Sequence, residues 1–133
     1  MNAAAILAEN LLGTLATINE DGSPWATPLH IFHDGDDVYW FSHEDVQHSH
    51  NIERDARVSI CVFTPSTTGG LKGVYISGSA VKLDASATAE AKNIVVKRLG
   101  VLPPVFETAT GYRLPLGQLD ATRSKNGCWY FYS

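Results

Sequence analysis

Five histidines, His30, His33, His43, His48 and His50, lie in one short stretch of this 133-residue chain. Imidazole is the side chain most ready to exchange protons near neutral pH and the commonest metal ligand. A metal or haem site needs rings that converge. His48 and His50 are two apart in a segment that reads as helix and so face different ways, whereas helical ligand pairs stand three or four apart. A metal site is therefore not expected, and most of these rings read as surface imidazoles. The two cysteines, Cys61 and Cys128, show no CxxC spacing, and Cys61 sits inside the apolar run Val58–Phe63, where a buried reduced thiol is the ordinary reading. There is no Ser-His-Asp order, phosphate-cradling glycine loop or carboxylate pair at helical spacing. Hydrolase and kinase chemistry therefore have no foothold. No catalytic residue is assigned.

The elements that must position such residues read mainly as strands. Asn2 can cap a helix over 3–12 that Gly13 stops, and a strand follows over 13–18. Asn19-Glu20-Asp21-Gly22 is a turn, and an extended pattern resumes over 25–32, completing a hairpin. Pro24 and Pro28 cannot donate ladder hydrogen bonds, which places this second strand at an edge or beside something other than a strand. After the turn His33–Asp36, an aromatic strand covers 37–42, and a helix is expected over 45–54 with Asp45 at its N-terminus and Arg54 near its C-terminus. Strands follow over 57–63 and 73–83, separated by a loop over 65–70, with Gly78 expected as a bulge or close approach. Ser86 or Thr88 opens an amphipathic helix whose Ala91, Ile94, Val95 and Leu99 share a face, ended by Gly100 with Pro103 and Pro104. Residues 112–119 and 128–132 are the last strands, joined by the turn 124–127, and Trp129 reads as packing.

A chain of this length supports one core, so 1–133 is read as a single domain. With 44% hydrophobic and 18% charged residues the composition is ordinary for a globular domain, and no apolar run reaches the roughly 20 residues of a membrane helix. No signal-peptide pattern opens the chain, and a cytoplasmic location is the default expectation. Residues 1–64 hold ten carboxylates against Arg54 and Arg57, while 65–133 hold eight bases against four carboxylates. This disfavours nucleic acid as a partner. The split reads either as two differently charged solvent faces or as halves that meet across a subunit interface. Six or seven short strands with few helices argue a closed or partly open barrel.

The order of a hairpin, an Asp-Gly turn, the Ala26-Thr27-Pro28-Leu29 strand, an aromatic strand ending in Ser42, a short helix and then Asn51-Ile52-Glu53-Arg54-Asp55-Ala56-Arg57-Val58-Ser59 resembles the pyridoxamine 5'-phosphate oxidase-related flavin-binding family. The resemblance covers about residues 10–84. It implies a six-stranded split β-barrel with flanking helices, a homodimer, and FMN in a groove between the subunits. By position, Thr27, Pro28 and Leu29 would lie beside the isoalloxazine ring, and Phe41, Ser42 and His43 near the ribityl chain and phosphate. Val46, Gln47 and His48 fall where the family tends to place Ser, Arg and Lys against the phosphate. This sequence thus keeps the place of the site without its strongest cations, and His48 carries a full charge only below about pH 6.5. Lys72, Arg113 and Arg123 are candidate cations from across a dimer. The family's C-terminal basic substrate motif is not identifiable, so the resemblance implies an FMN-dependent oxidoreductase of unknown small-molecule substrate. The alternative is a non-catalytic flavin- or haem-binding stress or sensor module.

Overall fold

The computed structural model describes residues 3–64, 72–116, 124–125 and 128–132, the last seven as backbone. The element order is α1 (Ala3–Glu9), β1 (Leu12–Ile18), β2 (Pro24–His30), β3 (Phe32–Asp34), β4 (Asp37–Ser42), α2 (Gln47–Arg54), β5 (Arg57–Thr64), β6 (Lys72–Ser79), β7 (Val81–Lys82), α3 (Ala85–Leu99), a single 3₁₀ turn (Pro104–Phe106), β8 (Thr110–Pro115), β9 (Ser124–Lys125) and β10 (Cys128–Tyr132). The described residues are mainly β, with three α-helices among them. Strands form two sheets, ordered β2-β1-β5-β6-β10-β9 and β3-β4-β8-β7. Nearly all pairs are antiparallel, but β10 runs parallel to β6.

Two segments that read as single strands are each shared between the sheets. The run 25–32 ends its first ladder at His30, turns at buried Ile31, and enters the second sheet as β3; the run 73–83 breaks at buried Ala80 in the same way. Both corners keep their backbone donors satisfied, Ile31 N–H on the Leu11 carbonyl and Ala80 N–H on that of Ala56. Alternation of polar and apolar residues continues through such corners, so a sequence pattern of period two does not reveal them. Gly78 pairs with Val58 in unbroken register, which removes the bulge from the two alternatives expected there. The prolines fall as expected on an edge, because β2 is the first strand of its sheet.

The main core fills the space between the sheets, with Leu15, Ile60 and Ile76 from one facing Val38, Trp40 and Tyr112 from the other, and with α1 contributing Ile6 and Leu7. Trp40 and Tyr112 stack at 5.8 Å with planes only 7° apart. A second cluster, built on Phe32, Phe41, Phe106, Ala91 and Val95, holds α3 against the outer face of the smaller sheet. Helix α3 is capped two residues before Ser86 and four before Thr88, the two expected openings. Asp84 is the cap, its carboxylate accepting from Ala87 N–H at 2.7 Å, and Gly100 ends the helix at φ 81°. The caps assigned to Asn2, the loop 65–70 and strand residues 117–119 lie outside the described residues, as does any side-chain role of Trp129.

Candidate functional site

Helix α2 is short, and its polar composition cannot hold it in place by apolar burial alone; side-chain hydrogen bonds do so instead. Asn51 is fully buried and donates to Thr17 Oγ1 at 3.0 Å and to Asn19 Oδ1 at 2.9 Å. Its own Oδ1 accepts from Gln47 Nε2 at 3.0 Å, and the same Gln47 amide also donates to Asn19 Oδ1 at 3.2 Å. Arg54 donates to the Ile18 carbonyl. Apart from the Gln47–Asn51 bond within the helix, these bonds end on the last residues of β1 or on the turn leading into β2. The N-terminal end of α2 is thereby fixed relative to the proline-bearing edge strand. Sequence reasoning did not single out Asn51, although a buried amide with all its bonds internal is what registers helix on sheet here.

The start of α2 also differs from expectation. Asp45 does not cap the helix. Val46 occupies the N-cap position and makes no side-chain cap bond, and among the described residues no other side chain bonds the first amides, so the opening turn presents backbone N–H groups and the positive end of the helix dipole. Ser49, 2% exposed and in this first turn, has a hydroxyl with no hydrogen-bond partner among the described residues. Buried hydroxyls are nearly always bonded, so an orphan of this kind marks a place where a further group fits. Uncapped amides and an unpartnered hydroxyl form a donor set suited to an anion, a phosphate above all.

The nine residues singled out by resemblance fall into three groups. Thr27, Pro28 and Leu29 lie on the edge strand β2, with Leu29 partly packed on the main core. Phe41 turns its ring into the α3 cluster, which leaves only its backbone toward α2, while His43 is exposed on the loop after β4. Ser42, Val46, Gln47 and His48 gather around the start of α2, where His48 Nε2 lies 2.8 Å from Ser42 Oγ. Burial lowers the pKa of His48 below its usual value, so the ring is neutral at pH 7 and supplies no cation there. Nor are the nearby arginines free, since Arg54 bonds Ile18 and Arg57 pairs with Asp55 at 2.7 Å, holding that carboxyl at about 2. Of the cations considered from across a dimer, Arg113 faces Asp37 of its own chain at 3.7 Å, Lys72 lies on β6, and Arg123 is outside the described residues. No three His, Cys, Asp or Glu side chains gather as a metal-binding group among the described residues.

A buried neutral imidazole has a definite consequence for stability. Because the folded-state pKa of His48 lies below the unfolded one near 6.5, the unfolded chain takes up the proton first as pH falls. The stabilisation is complete above about pH 6.5 and is lost progressively as pH drops below it. Thermal melts from neutral to mildly acidic pH are expected to fall less steeply for His48→Gln than for the parent. Identical slopes would show that the ring titrates as in solvent.

Comparisons with known proteins place the chain in a family. It belongs to the family described as pyridoxamine 5'-phosphate oxidase, whose model matches residues 2–114. No curated protein matches it. Among solved structures it is similar to the conserved hypothetical protein Rv2991 from Mycobacterium tuberculosis, at 23% identity and a TM-score of 0.72, covering 86% of this chain and 79% of that one. A heme-binding protein from Mycobacterium smegmatis is 22% identical with a TM-score of 0.69 over 86% of this chain; the chain spans only 51% of that protein's length. A FAD-binding protein from Mesorhizobium loti is 20% identical with a TM-score of 0.61, covering 84% of this chain and 91% of that one. The shared fold thus occurs with more than one cofactor. No helix among the described residues is long and apolar enough to cross a membrane.

Proposed function

We propose that the chain is an FMN-binding flavoprotein of this family, an oxidoreductase for a small-molecule substrate, working as a homodimer of split-barrel subunits. The observation that carries this reading is the start of α2. Its uncapped amides, the unpartnered Ser49 hydroxyl and the Ser42 hydroxyl offer donors to a phosphate, and the hydrogen bonds from α2 to the β1–β2 turn hold that end beside β2. Thr27, Pro28 and Leu29 of β2 would lie along the ring system, with Pro28 removing a ladder donor on an edge that is left for a ligand. Phe41, His43, Val46, Gln47 and His48 would frame the phosphate end through backbone and neutral side-chain contacts. Bound there, FMN would itself carry the electrons, and these residues would bind and orient it. Neutral donors in place of Lys and Arg make the site weaker than a cationic one, because charge-assisted hydrogen bonds are roughly twice as strong as neutral ones.

The dimer rests on the outer face of the larger sheet. Leu12 and Phe63 stand two residues beyond the Thr14–Cys61 pair, on the same side as Tyr75, which pairs with Cys61. They are 63%, 60% and 42% exposed, among uncharged Thr14, Ala16 and Cys61. An uncharged apolar face of a sheet is the kind of surface a second copy covers, and a two-fold axis brings the same face to meet itself. One substitution then tests both parts. Phe63→Lys is expected to leave a folded monomer by light scattering and to bind FMN at least tenfold more weakly than the parent in a fluorescence-quenching titration. A parent that is monomeric at micromolar concentration, or that purifies without flavin and binds none when it is added, would overturn the reading.

A further inference from the structure

Helix α3 is seated closely on the smaller sheet at Gly111. The N–H of Gly111 donates to Thr88 Oγ1 at 3.0 Å, and a Cβ there would stand only 3.2 Å from the same oxygen. Two residues further along β8, at Arg113, sheet and helix part, leaving a groove of about 540 Å³, within the usual size of small-molecule sites. Leu83, Ala87 and Ile94 give it an apolar lining; Tyr39, Arg113, Asp34 and Glu90 give it polar groups. It shares no residue with the proposed flavin site.

The polar groups of this groove are poorly matched among themselves. Arg113 is the direct partner of Tyr39 across the β4–β8 ladder. Its guanidinium reaches Asp37 Oδ2 only at 3.7 Å, and Tyr39 donates to the same oxygen at 3.5 Å, both at or past the limit of a useful bond. The Arg113 Nε–H is buried without a partner among the described residues. Asp34 and Glu90 are exposed and form no ion pair among the described residues. A guanidinium held by a single long ion pair therefore shares the groove with two exposed carboxylates that have no cation among the described residues.

We propose that this groove is a binding site for a zwitterionic amino compound with an apolar side chain, of amino-acid size. Its carboxylate would take two N–H groups of Arg113, its ammonium would face Glu90 and Asp34, and its side chain would cover Leu83, Ala87 and Ile94. A simple anion meets the two carboxylates, and a simple cation meets the guanidinium, so a ligand carrying both charges matches the set best.

The test is titration of the isotopically labelled chain, followed by NMR at the Arg113 Nε–H and the Glu90 and Asn93 amides. The probes are leucine, leucinamide, which lacks the carboxylate, and isocaproate, which lacks the ammonium group. Leucine should shift these signals at millimolar concentration or below, with both analogues about tenfold weaker or more. Arg113→Gln should abolish the preference over leucinamide, Glu90→Gln should reduce that over isocaproate, and adding FMN should change neither. No shift with leucine at millimolar concentration, equal titration by all three probes, or shifts confined to other regions would each overturn the proposal.

Discussion

Replacing Asn51 with alanine should cost about 3 kcal/mol of stability, as expected for losing two or three buried hydrogen bonds at about 1 kcal/mol each together with the packing of the amide. The loss is large because the partners suffer too. Thr17 Oγ1, Asn19 Oδ1 and Gln47 Nε2 each give up a bond to Asn51. The amide bridges helix to turn, so the effect should extend beyond stability. With α2 released from the β1–β2 turn, the first turn of the helix loses its fixed relation to β2, and flavin affinity should fall even below the melting temperature. Denaturant unfolding and FMN titration of the same variant check both parts. Unchanged stability would mean that the amide makes equally good bonds to water; full affinity with reduced stability would detach the network from cofactor binding.

The second large effect has opposite signs in its two readouts. Val46→Asp places a good capping side chain where the helix now has none. The new carboxylate can accept from the first amides and complement the dipole, raising stability by about 1 kcal/mol. The same carboxylate would occupy the donors proposed for phosphate and repel it, so FMN affinity should drop by a factor of about ten to a hundred. Riboflavin, which lacks the phosphate, should bind nearly as before. A higher melting temperature with a selective loss of FMN is the expected pattern. Equal loss of both flavins would place the phosphate elsewhere, and no loss of either would remove the start of α2 from the site.

Much of the local structure was legible in the chain. Turn glycines gave themselves away because few other residues tolerate positive φ, and Gly22 and Gly35 adopt 87° and 58° where turns were expected. Pro24 and Pro28 marked an edge strand because a residue without an N–H is costly inside a ladder. The segment 37–42 matched a strand end to end, since its aromatic residues pack on both faces of the smaller sheet. The order of motifs was sufficient to indicate the family, because spacing between elements survives where individual side chains have changed.

Tertiary structure decided the rest, wherever a property depends on residues far apart in sequence. The corners at Ile31 and Ala80 are set by how two twisted sheets close on a shared core, and the alternating pattern runs through them unchanged. The parallel pairing of β10 with β6 follows from where the chain returns, which no local signal encodes. Asp45 was a good cap by type, but the hydrogen bonds of Gln47 and Asn51 to Asn19 fix where the helix sits, and Val46 falls at its start instead. By resemblance His48 read as a substitute for lysine against the phosphate; packing turned it toward Ser42, and desolvation keeps it neutral. Residue type is written in the sequence, but the burial and partners that determine its charge and bonding exist only once distant segments have met.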